Sequence, residues 1–151
     1  MRFLRNTIAA SALLAITGVM GASAALAGDD KALVTVVTSP DPQTQLMAMV
    51  LTMQAVQQGA KGHILLCGPG GDIALKEAPA SATAPQAPKD MSPQGLMKKI
   101  MQAHGTSVQV CALYLPNRGV GAGALIDGVT VAKPPAMAAR LMDDDTRVLS
   151  F

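Results

Sequence analysis

Hydrophobic positions in this chain alternate between two rhythms. Leu33-Val34-Thr35-Val36-Val37-Thr38 is an almost unbroken, mostly β-branched run with no polar face, which predicts a strand covered on both sides. Asp41 then stands where a helix N-cap is wanted, and Pro42 fits the first helical turn. From Gln43 to Gln58, residues Leu46, Met49, Val50, Met53 and Val56 recur at helical spacing, and Gly59 closes the helix. The pair of rhythms repeats. His63-Ile64-Leu65-Leu66-Cys67 predicts a second buried strand, followed by Gly68-Pro69-Gly70-Gly71 and a brief helical turn around Ile73–Lys76. Glu77 to Met91, with Pro79, Pro85 and Pro88, reads as a long loop. Ser92-Pro93 opens a helix that runs through Leu96, Met97, Ile100 and Met101 to His104-Gly105.

Ser107–Leu115 predicts a third strand, and a short glycine-rich helix near Gly121–Ile126 follows. Val129-Thr130-Val131 is a further short strand, Pro134-Pro135 starts a last helix to Met142, and Arg147–Phe151 is a final strand. This alternation predicts an α/β domain: a flavodoxin-like, doubly wound, mostly parallel sheet of about five strands with helices on both faces. Ligands of such sheets gather beyond the carboxyl ends of the strands. Cys67 lies at one such end, and Cys111 lies in the strand leading to another.

The first residues follow neither rhythm. Arg2 and Arg5 precede the uncharged stretch Asn6–Gly28, with an apolar segment Ile8–Met20 and an Ala25-Leu26-Ala27 cleavage pattern. The stretch approaches the ~20 residues of a membrane span. Its small-residue run and cleavage pattern favour a signal peptide over residues 1–27, with one domain over 28–151. No cysteine lies near the cleavage site for lipid attachment. The expected location is the periplasm, with no stable membrane insertion after cleavage. Removing Arg2 and Arg5 from twelve basic residues leaves ten, which balance the ten acidic ones. The +2 of the precursor is therefore no argument for nucleic acid. Aromatic platforms for base stacking are also missing, since Phe3, Tyr114 and Phe151 are the only aromatic residues.

Export makes the two cysteines the central chemical question. Cys111 reads either as a small buried hydrophobe or as a thiolate favoured by a cation such as Arg118. Cys67 reads as a buried strand-end residue, as a partner that resolves an oxidised or persulfidated Cys111, or as half of a structural disulfide. Strand order decides among these. The turn Pro116–Gly119 is placed to bring Arg118 back toward Cys111, and Glu77–Met91 is placed to cover the site as a lid.

Other constellations are weaker. Gly119-Val120-Gly121-Ala122-Gly123-Ala124 fits a dinucleotide-binding glycine pattern, but no acidic residue ends the next strand, so tight turns explain it better. His63 and His104 form no catalytic set, and Asp143-Asp144-Asp145 reads as a solvated turn. No cofactor and no metal site is expected. Eight methionines follow residue 27, and their thioethers suit Cu(I). The helical spacing of Met49/Met53 and Met97/Met101 points instead to core filling.

The segment from Cys111 through Arg118-Gly119, Ile126-Asp127-Gly128-Val129 and Lys133-Pro134-Pro135 to Asp145-Thr146-Arg147-Val148-Leu149 resembles the DsrE/DsrF/TusD-like sulfur-relay family, in its exported branch. The resemblance covers most of residues 32–151. It implies a flavodoxin-like fold, a homo-oligomer, and sulfur carried as a persulfide on Cys111. At most it implies a sulfurtransferase-like carrier that exchanges sulfur with a donor or acceptor protein. The export signal departs from cytoplasmic relay members, so their partners do not carry over. The competing reading is a non-enzymatic binding module, for copper through Met and Cys or for a protein partner.

Overall fold

A computed structural model describes residues 31–151; the signal-peptide expectation lies outside them. Five strands form one parallel sheet: β1 (Ala32–Val37), β2 (Lys61–Leu66), β3 (Ser107–Val110), β4 (Thr130–Val131) and β5 (Thr146–Ser150). The helices are α1 (Pro42–Gln57), α2 (Ala80–Thr83), α3 (Pro93–His104), α4 (Tyr114–Arg118) and α5 (Pro134–Leu141). Short 3₁₀ segments cover Gly68–Ala74 and Ala122–Ala124.

Strand order is β4-β3-β2-β1-β5. The chain steps from β1 outward to β4 in one direction and then returns past β1 to place β5. Right-handed crossovers therefore put α1 and α3 on one face and send α5 back across the other. The pleat sorts the side chains accordingly. Val37, Ile64, Leu66, Val108 and Val110 join Met49, Met53, Met97 and Ile100 of α1 and α3 in the larger core. Val34 and Leu65 meet Met137 of α5 in a smaller one. The fold is thus the five-stranded α/β, flavodoxin-like architecture expected, with Met49 and Met53 of α1 and Met97 of α3 acting as core filler. Among the described residues no helix is long and apolar enough to cross a membrane.

The helix ends are where the sequence places them. The Asp41 carboxylate accepts the Thr44 N–H at 2.7 Å, and the Ser92 hydroxyl accepts that of Gly95 at 3.1 Å. Gly105 ends α3 with φ +62°, a left-handed conformation that favours glycine. One polar bridge joins sheet to helix inside the core. The Thr52 hydroxyl donates to the Ala48 carbonyl, so the buried Thr35 hydroxyl, 2.6 Å from it, is the donor between the two threonines.

Three segments differ from the sequence expectation. The third strand stops at Val110, and the end of the apolar run, Tyr114 and Leu115, opens α4 instead. Tyr114 and Leu115 are buried there, because a short apolar run suits a buried helical turn as well as a strand. The 77–91 stretch is not a plain loop. It contains α2, whose Ala82 is buried in the core, and the Gln86 side chain donates to the Pro42 carbonyl at 2.8 Å. Finally, the brief turn after β2 starts earlier than expected, at Gly68.

Candidate functional site

Parallel pairing aligns the carboxyl ends of β2 and β3. Leu66 is the register partner of Val110, so the next residues, Cys67 and Cys111, stand side by side. The Cys111 N–H donates to the Leu66 carbonyl at 2.8 Å, which extends the ladder by one bond and fixes that neighbour relation. Alternation then points both side chains to the same face. Their Cα atoms are 5.1 Å apart, within the range a disulfide spans, and the two sulfurs are joined. Of the roles open to Cys67 in the sequence, isolation in the core is the one excluded.

The disulfide lines a cleft of about 620 Å³ with Gly68, Pro69, Asp72, Leu113, Tyr114, Asn117 and Arg118. Each wall has a local cause. After Cys67 the chain turns into the 3₁₀ segment, which the buried Gln94 amide of α3 pins by donating to the Ile73 and Leu75 carbonyls at 3.0 and 2.8 Å. That segment carries Asp72. After Cys111 the chain turns again, with the Tyr114 N–H donating to the Cys111 carbonyl at 2.9 Å, and α4 brings Tyr114 and Arg118 to the opposite wall. Gly119, at φ +67°, ends α4 immediately after Arg118.

Two polar side chains of the cleft, Tyr114 and Arg118, converge on one atom of a third. Asp72 Oδ1 accepts from the Tyr114 hydroxyl at 2.7 Å and pairs with Arg118 Nη2 at 3.1 Å. Burial, reinforced by the Asp72 hydrogen bond and charge, pushes the Tyr114 hydroxyl far above its ordinary range despite the opposing Arg118. Tyr114 is therefore a fixed neutral donor. Asp72 is the one carboxylate among the residues lining the cleft, and it is held by both partners.

Arg118 is thus in the site, but its guanidinium is engaged by Asp72, a partner that sequence reasoning did not name. Asp72 and Tyr114 were both missed as site residues. The signal available was that each follows a cysteine by a few residues on adjacent strand ends: Asp72 comes five after Cys67 and Tyr114 three after Cys111. The lid expectation does not hold. Residues 86–89 and 91 line a separate groove beside α1, and none of 77–91 lines the cysteine cleft.

The remaining candidates lie elsewhere. The 119–124 glycine pattern follows a helix, not a strand, and so lacks the strand–turn–helix context of dinucleotide binding. Asp143, Asp144 and Asp145 are exposed, and Asp143 caps its own turn by accepting the Asp145 N–H at 2.9 Å. No cluster of three or more His, Cys, Asp or Glu residues suited to a metal occurs among the described residues.

His63 sits at the other end of β2, with Nδ1 2.6 Å from the Ser107 hydroxyl. Burial, and then the Arg140 charge, hold its pKa below the ordinary 6.5. The unfolded chain therefore takes up a proton as pH falls through 6.5, while the folded chain resists until a lower pH. Stability should be undiminished above that value and decline between it and the folded pKa. Urea midpoints should fall from about pH 7.5 to about pH 5.5, and His63→Gln should flatten that slope. An identical slope in both proteins would refute the assignment.

No family model and no curated protein matches the sequence. Solved structures do match. The YchN protein from E. coli superposes with a TM-score of 0.62 at 21% identity, covering 80% of this chain and 99% of its own. MTH1491, a protein of unknown function from Methanobacterium thermoautotrophicum, superposes with a TM-score of 0.60 at 11% identity, covering 81% and 100%. At these identities the likenesses speak for the fold alone: both solved structures share the α/β fold of this chain.

Proposed function

We propose that this is an exported sulfur-handling protein whose Cys67–Cys111 pair is a thiol–disulfide centre, with Cys111 carrying sulfur as a persulfide once the pair is reduced. The observation that carries the reading is the placement of both cysteines at adjacent carboxyl strand ends, joined and lining one cleft. That is where α/β sheets bind their ligands. The family resemblance from Cys111 onward, with the flavodoxin-like fold that it implies, supports sulfur as the cargo. Cys67 is the resolving partner. Its thiolate can attack the inner sulfur of a Cys111 persulfide, release the outer sulfur as hydrosulfide and restore the disulfide.

The apolar lip suits a macromolecular donor or acceptor, since Leu113 is 73% exposed beside the cleft. We place the protein in the periplasm as a homo-oligomer, on the signal-peptide pattern and the resemblance respectively. The test is the intact mass of the reduced chain after incubation with an inorganic polysulfide. The expected result is a gain of one sulfur atom per chain that a reductant removes. A chain that starts fully reduced, gains no sulfur and remains a dithiol would overturn the proposal in favour of a binding module.

A further inference from the structure

We infer that the oxidised, disulfide form of the cleft takes hydrosulfide as a substrate and converts it directly to a Cys111 persulfide. The inference rests on the sulfur-carrier reading and adds the source of the sulfur. A dithiol can be persulfidated only by sulfur that is already oxidised. A disulfide is itself a two-electron acceptor and needs no such donor.

The balance closes within the site. HS⁻ attacks Cys111 Sγ, a new S–S bond forms, and the Cys67–Cys111 bond breaks with its electron pair leaving on Cys67. The products are Cys111–S–SH and a Cys67 thiolate. The sulfide sulfur is oxidised by two electrons to the sulfane level, and the disulfide is reduced by two. Transfer of the outer sulfur to an acceptor thiolate then leaves the dithiol. Exchange with an oxidised dithiol protein re-forms the disulfide.

Three features of the cleft favour this nucleophile. Both cysteines line the same cleft and neither is fully buried, which gives an incoming anion a route to the bond. The lining contains a single carboxylate, Asp72, and Arg118 and Tyr114 occupy its Oδ1, so an approaching anion meets an ion pair and not a bare negative charge. The rest of the wall, Gly68, Pro69, Leu113 and Asn117, is uncharged, and the Asn117 amide donates to the Leu113 carbonyl at 2.7 Å, so no further charged side chain competes with the anion at the bond.

The experiment treats the full oxidised domain with sodium sulfide under anaerobic conditions, then alkylates it and records intact mass. The expected product carries two alkyl groups and one extra sulfur per chain. The pre-reduced domain given sulfide should gain no sulfur, because no electron acceptor is present. Cys67→Ser and Cys111→Ser, which lack the disulfide, should also gain none from sulfide. If the oxidised domain stays unmodified by sulfide while the reduced domain accepts sulfur from polysulfide, this inference fails and the carrier reading stands. If neither form accepts sulfur, both fail. Sulfur uptake from sulfide by the pre-reduced domain would also overturn the inference, because the disulfide would then not be the oxidant.

Discussion

Cys111→Ser should abolish sulfur uptake by the reduced chain from polysulfide, whereas Cys67→Ser should retain it. The comparison is clean because both variants lose the same cross-link. The two cysteines are 44 residues apart, and closing a loop of that length stabilises by about 4 kcal/mol in the chain-entropy description. Any uptake lost through weaker folding would be lost from both. A difference between them therefore reports chemistry. Cys67→Ser should also hold its sulfur longer, since no neighbouring thiolate remains to release it. Arg118→Ala should slow uptake several-fold, because it strips Asp72 of its cation and leaves a carboxylate facing the forming thiolate. Adding Asp72→Asn to Arg118→Ala should recover the rate. Uptake by Cys111→Ser with loss in Cys67→Ser would reverse the two roles.

The large elements were legible because each has its own periodic signal. Leu33–Thr38 could be read as a strand covered on both faces from composition alone, and α1 from its five apolar positions between Asp41 and Gly59. The segment 112–115 was misread for the same reason. It is apolar throughout, and over four residues a period of 2 and a period of 3.6 cannot be told apart. The site was legible in part. The sequence puts Cys67 at a strand end and Cys111 only within the strand leading to another, and their adjacency depends on β2 and β3 being neighbours in the sheet, which local patterns do not encode. The Asp72 contacts lay further out of reach. They require the 3₁₀ turn after β2 and α4 after β3 to face each other across the cleft, a relation between two short non-periodic segments.

The 3₁₀ turn also gives the glycines after Cys67 a packing role. Gly70 packs directly on the end of β1. A methyl group at its Cα would overlap the Val37 carbonyl, which is backbone and cannot rotate away. Gly71 packs in the same way against the Tyr114 ring, which sets that side chain at the Asp72 carboxylate. Gly70→Ala should therefore be the most damaging single methyl in the domain. Overpacking against backbone costs at the upper end of the usual range, about 3 kcal/mol or more, against a total stability of about 5–15 kcal/mol. For a domain of this size that corresponds to a fall in Tm on the order of 10 °C. Gly123→Ala is the matched control, because a methyl there meets no neighbour, and its effect should stay within about 0.5 kcal/mol. The Val37 carbonyl also accepts the Cys67 N–H at 2.9 Å, so whatever displaces it moves Cys67 relative to Cys111. Gly70→Ala should thus slow disulfide re-formation in the folded fraction as well as lower Tm. Equal melting temperatures for Gly70→Ala and Gly123→Ala would show that the turn does not hold the cysteine end of β2 against β1.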